Sequence, residues 1–222
     1  LCVTPGKASH FANSGIPLIP LPHLVYASRQ SNVPPAYICI TNGNLQALRD
    51  GFTSFLRVAR SVRAAEQVVD SFRPDVIAGD LSLIAWILGQ RRQIPVVQLV
   101  RSIIHPDAAR LFWWRDPPPG NLPPDIRPVF NPLLRWWNLP SINRAEDLMR
   151  GDLYLIPSIP SLDPLPPGIQ RTCYTGPLAE PAQAGDALPG GFPDRKNGPI
   201  IYVTLGGGVG LAQAGPVLAS LH

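Results

Sequence analysis

Arg73-Pro74-Asp75-Val76-Ile77-Ala78-Gly79-Asp80, then Leu81 to Arg92, then Ile94-Pro95-Val96-Val97-Gln98-Leu99-Val100, is the stretch on which the fold turns. Asp75 to Asp80 is a short, largely apolar run suited to a strand buried on both faces. Leu81 to Arg92 is helical in pattern, Ile94-Pro95 breaks it, and Val96 to Val100 forms a second buried run. A strand, a helix and a strand joined by tight turns make a βαβ unit, whose two strands are parallel. The predicted class is therefore α/β, a Rossmann-like domain with a parallel sheet.

Upstream, Leu45, Leu48, Phe52, Phe55, Ala59, Val62, Val69 and Phe72 recur mostly at three- and four-residue steps, which predicts one amphipathic helix over 45–72. Asn42-Gly43-Asn44 offers capping side chains at its start, and Arg73-Pro74 ends it because proline disfavours helical geometry in the residue before it. Leu1 to Thr4 reads as a strand end, as if a strand had been entered midway. Gly15 to Leu21 reads as a turn and a short extended run, and residues 22–44 read as loop. Downstream, residues 101–130 are proline-rich and irregular. Asn131 to Met149 is helical in part, with Pro140 interrupting it, and Asp152 to Ile156 is a further strand.

Pro177 to Gly198 is rich in Pro, Gly, Ala and Asp and has the composition of a linker. Pro199 to Leu205 restarts a buried strand, Gly206-Gly207-Gly208 follows, and a helix begins between Leu211 and Pro216. A segment this short cannot bury a core alone. The expected organisation is a Rossmann-like domain over 1–176, a linker over 177–198 and the first β-loop-α of a second domain over 199–222.

The composition narrows the class. Of 222 residues, 45% are hydrophobic, as in soluble globular proteins, and the 28 prolines mark ordered, extended connections. A net charge of +4 and a pI near 9.3 are compatible with an anionic ligand, an acidic membrane surface or nucleic acid. Arg57, Arg60 and Arg63 make one basic stripe on a helix, whose plainer reading is a solvated face; no RNA- or DNA-binding signature accompanies it. Cys2, Cys39 and Cys173 are scattered, which argues for a reducing, cytoplasmic setting and against a disulfide framework or structural zinc. No run approaches the roughly 18 apolar residues of a membrane span.

Several residues stand where chemistry is expected. Ligands of open α/β sheets gather beyond the carboxyl ends of the strands, and Asp80 sits there; its plainer reading is an N-cap for the helix at Leu81 to Leu83. Ser102 and His105 follow the strand 96–100 on the same side, though a surface histidine is the plainer reading of the latter. Phe112-Trp113-Trp114 and Trp136-Trp137 either line an apolar pocket, where rings stack on sugars, or tie down a long loop. Gly206, Gly207 and Gly208 let the backbone approach a phosphate, but their spacing matches neither the dinucleotide pattern nor the P-loop. His10 and His23 show no metal-ligand spacing, and no Gly-x-Ser-x-Gly elbow occurs.

Three passages together resemble the glycosyltransferases of the GT-B fold, in particular the UDP-glycosyltransferase-like, macrolide-type group. They are Arg73 to Asp80 with its helix and Ile94 to Val97; Asp152 to Ser158 running on to Cys173-Tyr174-Thr175-Gly176-Pro177-Leu178; and Pro199 to Gly207. The resemblance implies an acceptor-binding N-terminal domain and a donor domain for a UDP- or dTDP-sugar. It also implies inverting transfer to a hydroxyl of a small-molecule or lipid acceptor, with no cofactor and no metal. Asp80 matches the family's aspartate that orients a catalytic histidine. Ser102, His105, Trp113 and Trp114 are then acceptor contacts, and Gly206 to Gly208 donor contacts; contact with a membrane surface is compatible with the charge.

This sequence departs from the family in three ways. The stretch bearing the catalytic histidine is absent, Gly207 stands where the family often has serine, and the later donor motifs are missing. The 222-residue chain alone is therefore expected to be inactive. A non-catalytic GT-B-like binding or activator protein and a sugar-nucleotide epimerase are the rival readings.

Overall fold

The computed structural model describes residues 2–3, 15–20, 42–108 and 125–178. The chain divides into two compact units, Leu1–Pro177 and Leu178–His222. Beyond Leu178 the second unit lies outside the described residues, and with it most of the expected linker, the restarted strand and Gly206 to Gly208.

In chain order the first unit contains β1 (Cys2–Val3), β2 (Ile19–Pro20), α1 (Gly43–Arg49), α2 (Phe55–Phe72), β3 (Ile77–Asp80), α3 (Ala85–Arg92), β4 (Val96–Leu99), α4 (Arg127–Trp136), β5 (Leu153–Ile156) and β6 (Thr172–Tyr174). Short 3-10 turns occupy Ser102–Ile104 and Ala145–Met149. β1 and β2 form a small parallel pair. The main sheet runs β3-β4-β5-β6 with every pairing parallel, so the α/β class holds. Its register sets Asp80 opposite Leu99, Leu99 opposite Leu155, and Leu155 opposite Cys173.

Strand alternation sorts these residues into two faces. Gly79, Val96, Gln98, Tyr154 and Ile156 lie on one face and are buried. Ala78, Asp80 and Cys173 lie on the other and are exposed, with Val97, Leu99 and Leu155 half-buried between them. The expectation that β3 is covered on both faces is thus corrected: among the described residues it is an edge strand, and Ala78 and Asp80 on one face are exposed. The core comprises Val58, Val62 and Ala65 of α2, Trp86, Ile87 and Leu88 of α3, and Phe130, Leu133 and Leu134 of α4, packed with Val100, Tyr154 and Ile156. Each side chain of this size taken out of water contributes about 1.5–3 kcal/mol.

Three further expectations are corrected. The single helix over 45–72 is two helices, because Gly51 adopts a left-handed φ of 78° between α1 and α2. The start and end signals hold: Asn42 Oδ1 accepts the Leu45 N–H at 3.0 Å, and α2 stops at Phe72 with Arg73 left-handed. The helix expected from Leu81 begins only at Ala85. The irregular reading of 101–130 misses the start of α4 at Arg127, where Pro128 in the first turn gives up an amide that had no partner to lose. Among the described residues no helix is long and apolar enough to cross a membrane.

Candidate functional site

Asp80 is the last residue of β3, and it is exposed. The ladder holds up to that point, since Leu81 N–H donates to Leu99 O at 3.0 Å. Leu81 then takes a left-handed φ of 49° and turns the chain away from the strand direction. The cap is supplied two residues later, where Ser82 Oγ accepts the Ala85 N–H at 3.2 Å. Asp80 is therefore not the cap of α3, contrary to the plainer sequence reading. Its carboxylate takes no hydrogen bond or ion pair from any described residue.

The turn is packed tightly behind it. Gln98, fully buried in β4, donates through Nε2 to Ser82 O at 3.1 Å, and its Oε1 has no partner. Gly79 makes room for this amide: a Cβ there would lie 2.5 Å from Gln98 Oε1 and 2.9 Å from Ala85 Cβ.

The next strand end brings Arg101 and Ser102. Arg101 continues β4 in extended geometry (φ −107°, ψ 156°), so alternation puts it on the same face as Leu99 and Asp80. Its side chain is 69% exposed, and its Nε stands 3.8 Å from Asp163 Oδ2. Ser102 is buried, and both its N–H (3.3 Å) and its hydroxyl donate to Asp163 Oδ1. Asp163 is itself buried, its Oδ2 accepts no hydrogen bond, and its backbone oxygen accepts from Tyr174 OH at 2.7 Å. One carboxylate thus ties the proline-rich segment between β5 and β6 to the end of β4. The Ser102 hydroxyl proton is committed to that tie.

His105 is not the surface residue of its plainer reading, since it is 1% exposed. Its Nδ1 accepts the Asp107 N–H at 3.1 Å, which leaves Nε2 to donate to Thr172 Oγ1 at 3.1 Å; the ring packs 4.4 Å from the Tyr154 ring. Burial lowers its pKa from the usual histidine value; Asp107 opposes that shift and Arg144 adds to it.

The two tryptophans of the 136–137 pair stack with ring centroids 6.2 Å apart but differ in burial. Trp137 is half-buried against the core, with the Arg91 guanidinium 4.9 Å above its ring, while Trp136 is exposed. Trp113, Trp114, His10 and His23 lie outside the described residues, as do the three donor-loop glycines. Among the described residues, open grooves of about 250 and 490 Å³ lie along the segment from Pro160 to Tyr174; neither is lined by Asp80. No group of three His, Cys, Asp or Glu side chains is placed to hold a metal among the described residues.

Sequence reasoning missed Asp163, Arg101 and Ser82. The serine had a readable signal, a capping residue type just before an apolar helical run. Asp163 had none, because its partner lies 61 residues away.

Comparison with protein-family models and with curated proteins returns no match. Among solved structures the chain is similar to the calicheamicin glycosyltransferase CalG4, with TM-score 0.49 and 15% identity over 82% of this chain and 45% of that one. It is similar to the spinosyn forosaminyltransferase SpnP (TM-score 0.46, 16% identity, 85% of this chain and 44% of that one). The third is the glycosyltransferase SnogD from Streptomyces nogalater (TM-score 0.42, 21% identity, 85% and 46%). The chain spans less than half the length of each.

Proposed function

We propose that this chain is the acceptor side of a glycosyltransferase that moves a sugar from a nucleotide-sugar donor, a UDP- or dTDP-sugar, to an acceptor hydroxyl with inversion. One observation carries the reading: Asp80 is an exposed carboxylate, without a partner among the described residues, at the carboxyl end of a parallel strand. That is where ligands of α/β sheets gather. The three passages of family-like sequence support it.

In this reading Asp80 accepts the ring N–H of an imidazole from outside the described residues and fixes its tautomer. The imidazole takes the acceptor's hydroxyl proton, and the freed oxygen attacks the anomeric carbon from the face opposite the leaving group. The nucleoside diphosphate departs with the bonding electrons, and Gly206 to Gly208 are offered as donor-binding residues. The proton ends on the imidazole, whose charge Asp80 stabilises. Ser102 keeps a supporting place through Asp163, and Trp113 and Trp114 are offered as acceptor-stacking rings.

The test is product analysis in a protein that carries both halves, given a nucleotide sugar and hydroxylated acceptors. The expected result is one nucleoside diphosphate released per acceptor glycosylated, with the anomeric configuration opposite to the donor's. An altered sugar nucleotide with no acceptor consumed contradicts the reading in favour of an epimerase. Acceptor binding without turnover contradicts it in favour of a non-catalytic partner.

A further inference from the structure

We infer that the outer surface formed by the start of α2 and the end of α4 is a docking site for an anionic phospholipid surface. Leu56 at the start of α2 is 64% exposed, Phe55 beside it 39%, and Trp136 at the end of α4 68%. These side chains form one patch: the Phe55 and Trp136 rings stack with centroids 6.4 Å apart, and α2 packs against α4. An exposed indole and aliphatic side chain at helix ends suit the boundary between headgroups and acyl chains, where one side of the group is apolar and the other wet.

The charges around the patch choose the partner. Leu56, Arg60 and Arg63 are spaced by four and three residues, so they share one face of α2, and both arginines are exposed. Arg135 is exposed next to Trp136. None of these three arginines has an acidic partner among the described residues. The contrast lies on the same helix. Glu66 and Asp70 of α2 are both taken up by Arg91 and Arg92 of α3, whereas Arg60, Arg63 and Arg135 have no such partner among the described residues. Exposed apolar side chains with arginines beside them along α2 and α4, unpaired among the described residues, are complementary to a surface that offers acyl chains beneath a layer of negative charge. The proposal does not depend on the chemistry at Asp80.

The test is co-sedimentation of the 222-residue chain with vesicles of phosphatidylcholine alone and with phosphatidylglycerol added, with circular dichroism as the folding check. The chain is expected to bind only the vesicles containing phosphatidylglycerol. Replacing Arg60, Arg63 and Arg135 by glutamine should weaken binding roughly a hundredfold, at about fivefold per arginine. Leu56→Ser with Trp136→Ser should weaken it at least about tenfold. Phe72→Ser, an exposed change at the far end of α2, should leave binding unchanged. No binding to anionic vesicles, or binding that both sets of folded variants retain, overturns the proposal. So does self-association that Leu56→Ser with Trp136→Ser abolishes, since it assigns the patch to a second copy.

Discussion

Ser82 Oγ lies 3.2 Å from the Ala85 amide nitrogen and accepts its hydrogen bond, which satisfies the first amide of α3 without help from Asp80. The cap and the candidate functional carboxylate are thus separate side chains, two positions apart. Ser82→Ala should cost about 1 kcal/mol of stability, the usual worth of such a cap. Asp80→Ala should leave the denaturation midpoint nearly unchanged. Chemical denaturation of the two variants side by side checks this, and equal losses would return Asp80 to a structural role.

Gly79 tests how tightly the turn behind Asp80 is built. Gly79→Ala would push a methyl group against Gln98 Oε1, Ala85 Cβ and Ser82 Cβ, all within 3.0 Å of the new atom. Overpacking of this kind costs about 1–3 kcal/mol. The variant should show a lowered thermal midpoint and, because Ser82 and Gln98 are displaced together, a shift in the environment of Asp80 that NMR can read.

His105 should make stability depend on pH. Its pKa is lowered in the folded chain, so the unfolded chain binds the proton more readily. Stability is then fully present above the unfolded histidine pKa, about 6.5, and falls as the pH drops below it until the lowered folded value is reached. Protonating Nδ1 also removes the acceptor for the Asp107 N–H. Urea denaturation between pH 7.5 and 5 should show this acid slope in the native chain and a flatter slope in His105→Gln.

The tie between Ser102 and Asp163 should be worth more than an ordinary hydrogen bond, because its acceptor is a buried carboxylate. Asp163→Ala strands the Ser102 hydroxyl and amide together and should cost about 2–3 kcal/mol. Ser102→Ala leaves the amide donating to Asp163 and should cost less. A double-mutant cycle should return a coupling of about 1 kcal/mol or more between the two positions.

The sequence makes the strands legible and the helix boundaries less so, for identifiable reasons. The runs ending at Asp80, Leu99 and Ile156 are short, apolar and bounded by Pro, Gly or Asp, so they can be placed to within a residue or two. α1 buries Gly43, Gln46 and Ala47 and α2 buries Val58, Ser61, Val62 and Ala65, while the apolar spacing runs on across the break, whose local marks are Gly51 and the N-cap residue Ser54. The late start of α3 depends on a Gln98 side chain that takes the Ser82 carbonyl from the neighbouring strand, a contact that periodicity does not contain. His105 reads as a surface residue because its burial is decided by Tyr154 and Thr172, far along the chain. Asp80 was legible because a carboxylate at the end of a parallel strand has a position, and hence a meaning, before any partner is known.

The most direct test of the account is the turnover of Asp80→Asn, measured beside its thermal midpoint, in a protein that carries both halves of the proposed transferase. The substitution keeps the size of the side chain and removes the charge that would hold an imidazole and stabilise its protonated form. The account predicts a fall in kcat of about 10³- to 10⁴-fold with the midpoint within the error of the native protein. Turnover within a factor of about two of native, or a loss of activity that only follows a loss of folding, would contradict it.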